Sequence, residues 1–221
     1  MSADKNETLI TATTAFVKAQ LCDAEGGHDW FHVERVYNNA MRIANHENVD
    51  HTIVALAVLL HDIADPKFHD GDESIGPRKA REFLTRQEVD TDTIEHVINI
   101  IEHMSFKNSL EKGTSFESPE LFVVRDADRL DAIGAIGIAR CFNFGGFKNR
   151  AIYDPEISAK TEMTKTEYKN SNAPSINHFY EKLLLLKDEM HTETARRMAE
   201  DRHRFMQVYL DQFYAEWDGK R

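Results

Sequence analysis

Three apolar segments of the chain carry residue types that bind divalent metal ions. The first segment holds His32, the second holds the adjacent pair His61-Asp62, and the third holds Asp128. Burying an imidazole, and especially a carboxylate, is costly unless a partner compensates for the lost hydration. Imidazole and carboxylate ligands together suit borderline or hard divalent ions such as Mn, Fe, Zn, Co or Ni. The four residues therefore predict a metal centre.

Each of these residues also has an ordinary structural interpretation when it is taken alone. His32 alone is typical of a hydrogen-bonded core histidine. The His61-Asp62 pair alone is compatible with capping a helix end, and Asp128 alone suits a surface salt bridge. Their occurrence together, on three apolar segments and in this order, favours one shared site over separate structural roles.

The third segment is unusually acidic for an apolar stretch. It places Asp126, Asp128 and Asp131 within six consecutive positions. Carboxylates this close on a helix repel one another unless cations intervene. Arg125 and Arg129 supply part of the compensating charge, and a metal ion would supply the rest.

The elements that position these residues are predicted to be helices. Apolar residues recur at three- and four-residue steps, whereas alternating strand patterns are scarce. The run from Ile53 to Leu60 is apolar nearly all round, which indicates a central buried helix that stops near Pro66. Helices are predicted over Thr8–Cys22, Asp29–Asn45, Asp50–Ala64, Gly76–Glu88, Asp92–His103 and Leu121–Arg140, with a further helical pattern from Asn177 to Trp217.

The stretch from Asn143 to Asn177 has no sustained period and contains Gly145-Gly146, Pro155 and Pro174. Long irregular excursions in compact domains are usually lids or binding loops. We expect this segment to close over the phosphate group of a substrate. The alternative is an ordinary solvated loop, because its acidic residues nearly cancel its positive charge. Its cations are Lys148, Arg150, Lys160, Lys165 and Lys169.

Composition narrows the classes of partner. The formal net charge of −11 on 221 residues repels nucleic acid polymers and anionic membranes. Only two cysteines occur, and neither a signal peptide nor an apolar run long enough to span a bilayer is visible, so we expect a cytoplasmic protein. With no internal repeat or second-domain boundary, residues 1–221 are predicted to form a single all-α domain.

The order His, then His-Asp, then Asp resembles the signature of the HD superfamily of metal-dependent phosphohydrolases. The resemblance extends over most of the chain and is strongest to the small bacterial YedJ-like HD-domain hydrolases. The segments that carry it are HDWFHVERV from His28, LLHDIADPKF from Leu59, SFK from Ser105 and DADRLDAIGAIGIAR from Asp126, with INHFYEKLLLLKDEM and AEDRHRFM towards the C-terminus.

The resemblance implies an HD-domain helical bundle with its metal site between core helices. His32 matches the first ligand of the family, His61 and Asp62 match the doublet, and Asp128 matches the last ligand, with Asp126 as the neighbour most easily confused with it. The implied cofactor is a divalent ion, Mn before Fe, Co, Ni, Zn or Mg. The implied reaction is hydrolysis of a phosphoester or phosphoanhydride bond in a small nucleotide-like substrate.

Other polar residues are candidates for the surrounding chemistry. Asp65, one helical turn from His61, is the candidate general base or orienting residue, and a helix cap is its structural alternative. Lys67 is assigned to catalysis as a candidate phosphate contact, and Arg35, Lys107 and Arg150 to substrate binding; each is otherwise an ordinary solvated side chain.

Three alternatives remain open at this stage. His96 and His103 lie two turns apart on one helix face, so they are candidates for a second metal, although the resemblance favours a mononuclear site. The predicted reaction is hydrolysis of a nucleoside triphosphate to monophosphate and pyrophosphate. The alternative enzymes are a nucleotidase and a phosphodiesterase that acts on a signalling nucleotide. The Gly-Tyr-Pro element of the cyclic-dinucleotide HD subgroup is absent. A metal- or nucleotide-binding module without turnover is the remaining class. In each case the protein is predicted to be a monomer or a homodimer.

Overall fold

The computed structural model describes residues 3–22, 29–64, 72, 74–104, 116–160 and 171–221. Every regular element within these ranges is helical, which confirms the predicted all-α class. None of the described helices combines the length and the apolar content needed to cross a bilayer.

Nine α-helices and one 3-10 helix occur in the described ranges. They are α1 (Ala3–Gln20), α2 (Trp30–Ala44), α3 (His51–Leu60), α4 (Ile75–Arg86), α5 (Thr91–His103), α6 (Pro119–Asp131), α7 (Gly134–Phe147), α8 (Asn177–Glu181), the 3-10 helix Leu183–Glu189 and α9 (Glu193–Trp217).

The chain divides into two compact units, Met1–Asp128 and Arg129–Arg221, with the division inside α6. The prediction of one domain over the whole chain stays a prediction.

In the first unit, α3 packs against α1, α2 and α5, and α4 packs against α5. Every residue of α3 from Val54 to Leu60 is buried, as its apolar sequence predicts. Asp50 caps this helix, since its carboxylate accepts hydrogen bonds from the backbone N–H groups of Thr52 and Ile53.

In the second unit, α7 packs against α9, and the 3-10 helix packs against α8 and α9. Gly145 of α7 permits a close approach, because a Cβ atom there would lie 2.1 Å from Ser175 Oγ. The buried side chains of this unit include Phe179, Ile176 and Met206, each fully enclosed. These residues form an apolar core of the unit.

The predicted helix Leu121–Arg140 is wrong as a single element. It is two helices, because α6 ends at Asp131 and α7 begins at Gly134. Gly134 has φ of +76°, a conformation that favours glycine and interrupts a right-handed helix. Asp128 and its ligand-type neighbours therefore belong to α6 alone.

Two other predicted boundaries are also corrected. Helix α3 ends at Leu60 instead of continuing to Ala64, so His61 and Asp62 follow the helix. The irregular segment begins after Phe147 and not at Asn143, because α7 includes residues 143–147 despite their two glycines. Residues 161–170 of that segment lie outside the described part of the chain.

Candidate metal centre

His32 is positioned by the first turn of α2. Asp29 is the N-cap of this helix, and its Oδ1 accepts a hydrogen bond from the backbone N–H of His32 at 2.9 Å. An N-cap aspartate satisfies a donor that has no partner within the helix. The apolar face of α2, which includes Val33 and Val36, is buried and carries His32 inward with it, so that only 2% of His32 is exposed.

His61 and Asp62 follow the last residue of the buried helix α3. The Nδ1 atom of His61 lies 2.7 Å from the carbonyl oxygen of Val58. A carbonyl oxygen only accepts, so Nδ1 carries the proton and the lone pair of the neutral ring lies on Nε2. That Nε2 atom is buried and has no hydrogen-bond partner among the described residues. Its lone pair is therefore directed for a ligand that the protein itself does not supply.

Asp128 reaches the same place from α6. The side-chain amide of Asn39 on α2 lies 3.5 Å from the carbonyl oxygen of Ala127, beside Asp128. The Asp128 side chain is 42% exposed, whereas Asp126 is fully buried. The sequence pattern did not distinguish these two aspartates. The structure does, because Asp128 and not Asp126 has a carboxylate oxygen within 4.8 Å of the ligand nitrogens of both histidines.

The ligand-type atoms of these residues converge. His32 Nε2 lies 3.5 Å from Asp128 Oδ1 and 3.7 Å from Asp62 Oδ2. His61 Nε2 lies 3.9 Å from the same Asp62 oxygen. Ligand atoms of His32, His61 and Asp128 all lie within 4.8 Å of one another.

These separations fit a shared cation better than direct hydrogen bonds. Hydrogen bonds between nitrogen and oxygen have lengths of about 2.7–3.2 Å, so distances of 3.5 to 3.9 Å are too long for strong ones. Ligands that each lie about 2.0–2.2 Å from one ion are roughly 3–4 Å apart. The orphaned Nε2 atom of His61 and the nitrogen-oxygen donor set both fit a divalent metal ion.

Burial gives the centre an inner and an outer side. The side chains of His32 and His61 are 2% and 5% exposed, and those of Asp62 and Asp128 are 24% and 42% exposed. The imidazoles therefore line the protein side of the centre, and the two carboxylates border solvent. A small anionic substrate and a water molecule would approach across the carboxylate side.

Of the five remaining predicted site residues, only Arg35 and Arg150 lie in the described part of the chain. Asp65, Lys67 and Lys107 lie outside the described residues. Arg35 is partly buried on α2, one turn after His32. Arg150 belongs to the second unit, where its Nη2 donates to the carbonyl oxygen of Ser171 at 2.6 Å. The roles assigned to these five residues stay predictions.

His96 and His103 have separate surroundings on α5. His96 Nε2 lies 3.0 Å from Ser118 Oγ and 3.4 Å from Glu120 Oε2. His103 Nδ1 donates to the carbonyl oxygen of Asn99 at 2.8 Å, and its Nε2 is buried without a hydrogen-bond partner among the described residues. Neither histidine joins a group of three metal-ligand residues within the described ranges.

Sequence reasoning missed two positioning groups. Asp29 precedes α2 by one residue and has the signature of an N-cap, so helix-start rules would have identified it. The carbonyl oxygen of Val58 orients His61, and it carries no sequence signal because every residue has a backbone carbonyl.

Comparisons with known proteins match the part of the chain that contains these residues. The family model of the HD domain matches residues 30–133, the range that contains all four converging residues. The protein YpgQ of Bacillus subtilis (strain 168) is 39% identical over 204 residues, which cover 92% of this chain and 91% of YpgQ.

Solved structures show the same fold. The crystal structure of an HD-superfamily hydrolase from Bacillus thuringiensis has a TM-score of 0.77 at 40% identity, covering 96% of this chain and 98% of that one. The crystal structure of B. subtilis YpgQ in complex with ADP has a TM-score of 0.76 at 34% identity, covering 96% of each chain. From this agreement of sequence and fold, the chain belongs to the HD superfamily of metal-dependent phosphohydrolases.

Proposed function

We propose that this protein hydrolyses a phosphate bond of a small nucleotide, with His32, His61, Asp62 and Asp128 as the ligands of one divalent ion. The convergence of His32, His61 and Asp128 within 4.8 Å carries the proposal. Mn²⁺ is the proposed ion, because a mixed imidazole and carboxylate set suits it, and Fe, Co, Ni, Zn and Mg are its competitors. A nucleotide is the proposed substrate because the related YpgQ crystallised with ADP.

The division of labour among the ligands follows from their burial. His32 and His61 are enclosed, so they hold their positions and exclude water from the inner side of the centre. Asp62 and Asp128 border solvent, and their carboxylates supply negative charge that two imidazoles alone would not. When bound, a divalent ion polarises the phosphoryl group, lowers the pKa of a coordinated water and neutralises developing charge.

The net charge of the chain makes this neutralisation important. With a formal charge of −11, the protein repels a nucleotide polyphosphate at long range. Arg35, one turn from His32, is the proposed protein cation nearest to the centre along α2, and its role is to contact a phosphate oxygen. Asp65 is the proposed general base, and Lys67 and Lys107 are the further proposed phosphate contacts.

The specific reaction proposed is conversion of a nucleoside triphosphate to its monophosphate and pyrophosphate. The test is a panel of nucleoside mono-, di- and triphosphates and cyclic nucleotides, assayed with Mn²⁺ for the wild type and Asp62→Ala. Chromatography must resolve pyrophosphate from orthophosphate, because the product identifies the bond that is cut. Asp92→Ala, which changes an exposed aspartate at the start of α5, is the matched control.

We expect turnover by the wild type and by Asp92→Ala, with loss in Asp62→Ala while the circular dichroism spectrum is retained. Orthophosphate as the sole product would replace the pyrophosphohydrolase proposal with a nucleotidase, and cleavage confined to cyclic nucleotides would replace it with a phosphodiesterase. No turnover of any nucleotide by folded, fully metallated protein would overturn the nucleotide proposal.

A further inference from the structure

A cavity lies within the Arg129–Arg221 unit, and none of its lining residues is a candidate metal ligand. Its volume is about 390 Å³, within the roughly 300–1,000 Å³ range of small-molecule pockets. We call it the Arg150 cavity. Its lining residues are Phe142, Gly146, Arg150, Ile152, Ser175, Tyr209 and Phe213.

Aromatic rings form one continuous side of the Arg150 cavity. The ring centroids of Phe142 and Tyr209 are 6.2 Å apart, and those of Tyr209 and Phe213 are 6.3 Å apart. We call these three residues the aromatic wall. Aromatic pairs at 4.5–7 Å offer flat apolar surface to a further ring in offset or edge-to-face geometry. The shape and polarity of the wall therefore suit a planar aromatic group.

Arg150 is the cation in the lining. The guanidinium has five N–H donors, and its described hydrogen bond is the one from Nη2 to the Ser171 carbonyl oxygen at 2.6 Å. Its Nε atom is buried and has no hydrogen-bond partner among the described residues. A half-buried guanidinium whose described contacts are one carbonyl oxygen and the Phe144 ring retains donors for an anionic ligand.

The neighbouring titratable groups experience the positive charge of this region. Burial lowers the pKa of His178 to about 4, and the charges of Lys182 and Arg150 act in the same direction. Burial raises the pKa of Cys141 to about 12, and the Arg150 charge opposes that rise. Arg150 thus disfavours a second positive charge nearby and favours a negative one, in a chain whose overall charge is −11.

We propose that the Arg150 cavity binds a planar aromatic carboxylate, with its ring on the aromatic wall and its carboxylate accepting hydrogen bonds from the Arg150 guanidinium. A carboxylate matches the fork of guanidinium donors and can bind it in a bidentate manner. The ring supplies the apolar surface that the rest of the lining requires. This inference uses residues of the second unit alone and does not rest on the proposed hydrolysis.

The test is isothermal titration calorimetry with 2-naphthoate, run on the full chain in EDTA so that no metal ion can bind the carboxylate. We expect saturable binding with a dissociation constant below about 1 mM. Arg150→Met should raise that constant at least about tenfold, because a hydrogen-bonded charge pair is lost. Arg197→Met changes an exposed arginine of α9 and should bind as the wild type does. The neutral analogue 2-naphthylmethanol should bind at least about tenfold more weakly.

A second pair of variants locates the site independently of Arg150. Gly146 lines the cavity, and a Cβ atom added there meets nothing within 4 Å. Gly146→Leu therefore places a side chain in open space beside the cavity, and Gly146→Ala is its matched control. We expect the leucine variant to lose naphthoate binding and the alanine variant to retain it.

Three results would overturn the proposal. The first is an absence of saturable naphthoate binding by the wild type. The second is equal binding by folded Arg150→Met and wild type. The third is equal binding by Gly146→Leu and Gly146→Ala, which also decides the matter if Arg150→Met does not fold.

Discussion

His61, which directly follows α3, donates a hydrogen bond from Nδ1 to the carbonyl oxygen of Val58 in the last turn of that helix, at 2.7 Å. This bond holds the imidazole in the tautomer whose Nε2 lone pair is directed to the candidate metal centre. The helix that precedes His61 is fully buried from Val54 onward, so the acceptor is rigid. The orientation of a candidate ligand is therefore set by the backbone of the central helix.

Removing this imidazole should abolish tight metal binding. Loss of a group that merely orients a ligand lowers metal affinity by about 10–100-fold, so loss of the ligand itself in His61→Gln should cost about 100-fold or more. Metal content after loading with Mn²⁺ and gel filtration measures the effect. His51→Gln, an exposed histidine at the start of α3, is the control. Full metal content in folded His61→Gln would show that His61 is not a ligand.

The two neighbouring aspartates of α6 should respond differently to the same substitution. Asp128→Asn should lower Mn²⁺ affinity with little change in stability, because the Asp128 side chain is 42% exposed and 3.5 Å from His32 Nε2. Asp126→Asn should lower the free energy of unfolding instead, because Asp126 is fully buried and interacts with other polar groups of the protein. Calorimetric Mn²⁺ titration and urea unfolding measure the two effects. The assignment fails if the two variants exchange these phenotypes.

The cap on α2 should contribute to stability and to the placement of His32. Asp29→Ala removes the acceptor for the His32 backbone N–H, so it should lower the free energy of unfolding by about 1 kcal/mol. Asp29→Asn retains a capping oxygen and should cost much less. Urea unfolding of the three proteins makes the comparison. An equal loss in both variants would indicate that the charge of Asp29, and not its cap, is what stabilises the protein.

Acid should destabilise the protein through His178. Burial first, then the charges of Lys182 and Arg150, lowers its pKa in the folded protein to about 4 from the ordinary histidine value of 6.5. The unfolded chain therefore binds more protons below pH 6.5, so stability present above that pH is lost as the pH falls towards 4. The loss attributable to this residue is up to about 3 kcal/mol.

Urea unfolding at pH 8 and pH 5 tests this dependence in the wild type and in His178→Leu. The leucine variant should lose less stability between the two pH values, because it has no imidazole to protonate in the unfolded state. An identical loss in both proteins would assign the acid sensitivity to other groups.

The two cysteines should differ in reactivity. Cys22 is exposed, whereas Cys141 is buried and its pKa is raised to about 12. The thiolate is the reactive form, so a thiol reagent such as DTNB at pH 8 should modify one cysteine quickly in the native protein and both in denaturant. Cys22→Ser should lose the fast phase. A remaining fast phase in that variant would show that Cys141 is accessible in the native state.

The sequence alone predicted the helical class, the four converging residues and the family. Helical periodicity is local, so the spacing of apolar residues was sufficient for α2 and α5 to be predicted nearly to their ends. The candidate ligands were visible because polar residues such as His32 and Asp128 are conspicuous in apolar segments, and their order resembled a known signature. The break between α6 and α7 was not predicted, since the positive φ of Gly134 depends on how the chain turns there.

Tertiary structure decided the geometry around those residues. Only packing of α2, α3 and α6 shows that Asp128, and not Asp126, lies beside the histidines, because both aspartates occur on one short helical segment. Only packing assigns Arg150 to an aromatic cavity in the second unit, since residues of three separate segments form its lining. Residue types and spacing along one chain specify local structure and candidate chemistry, whereas distances between atoms remote in sequence arise from the packing of whole elements.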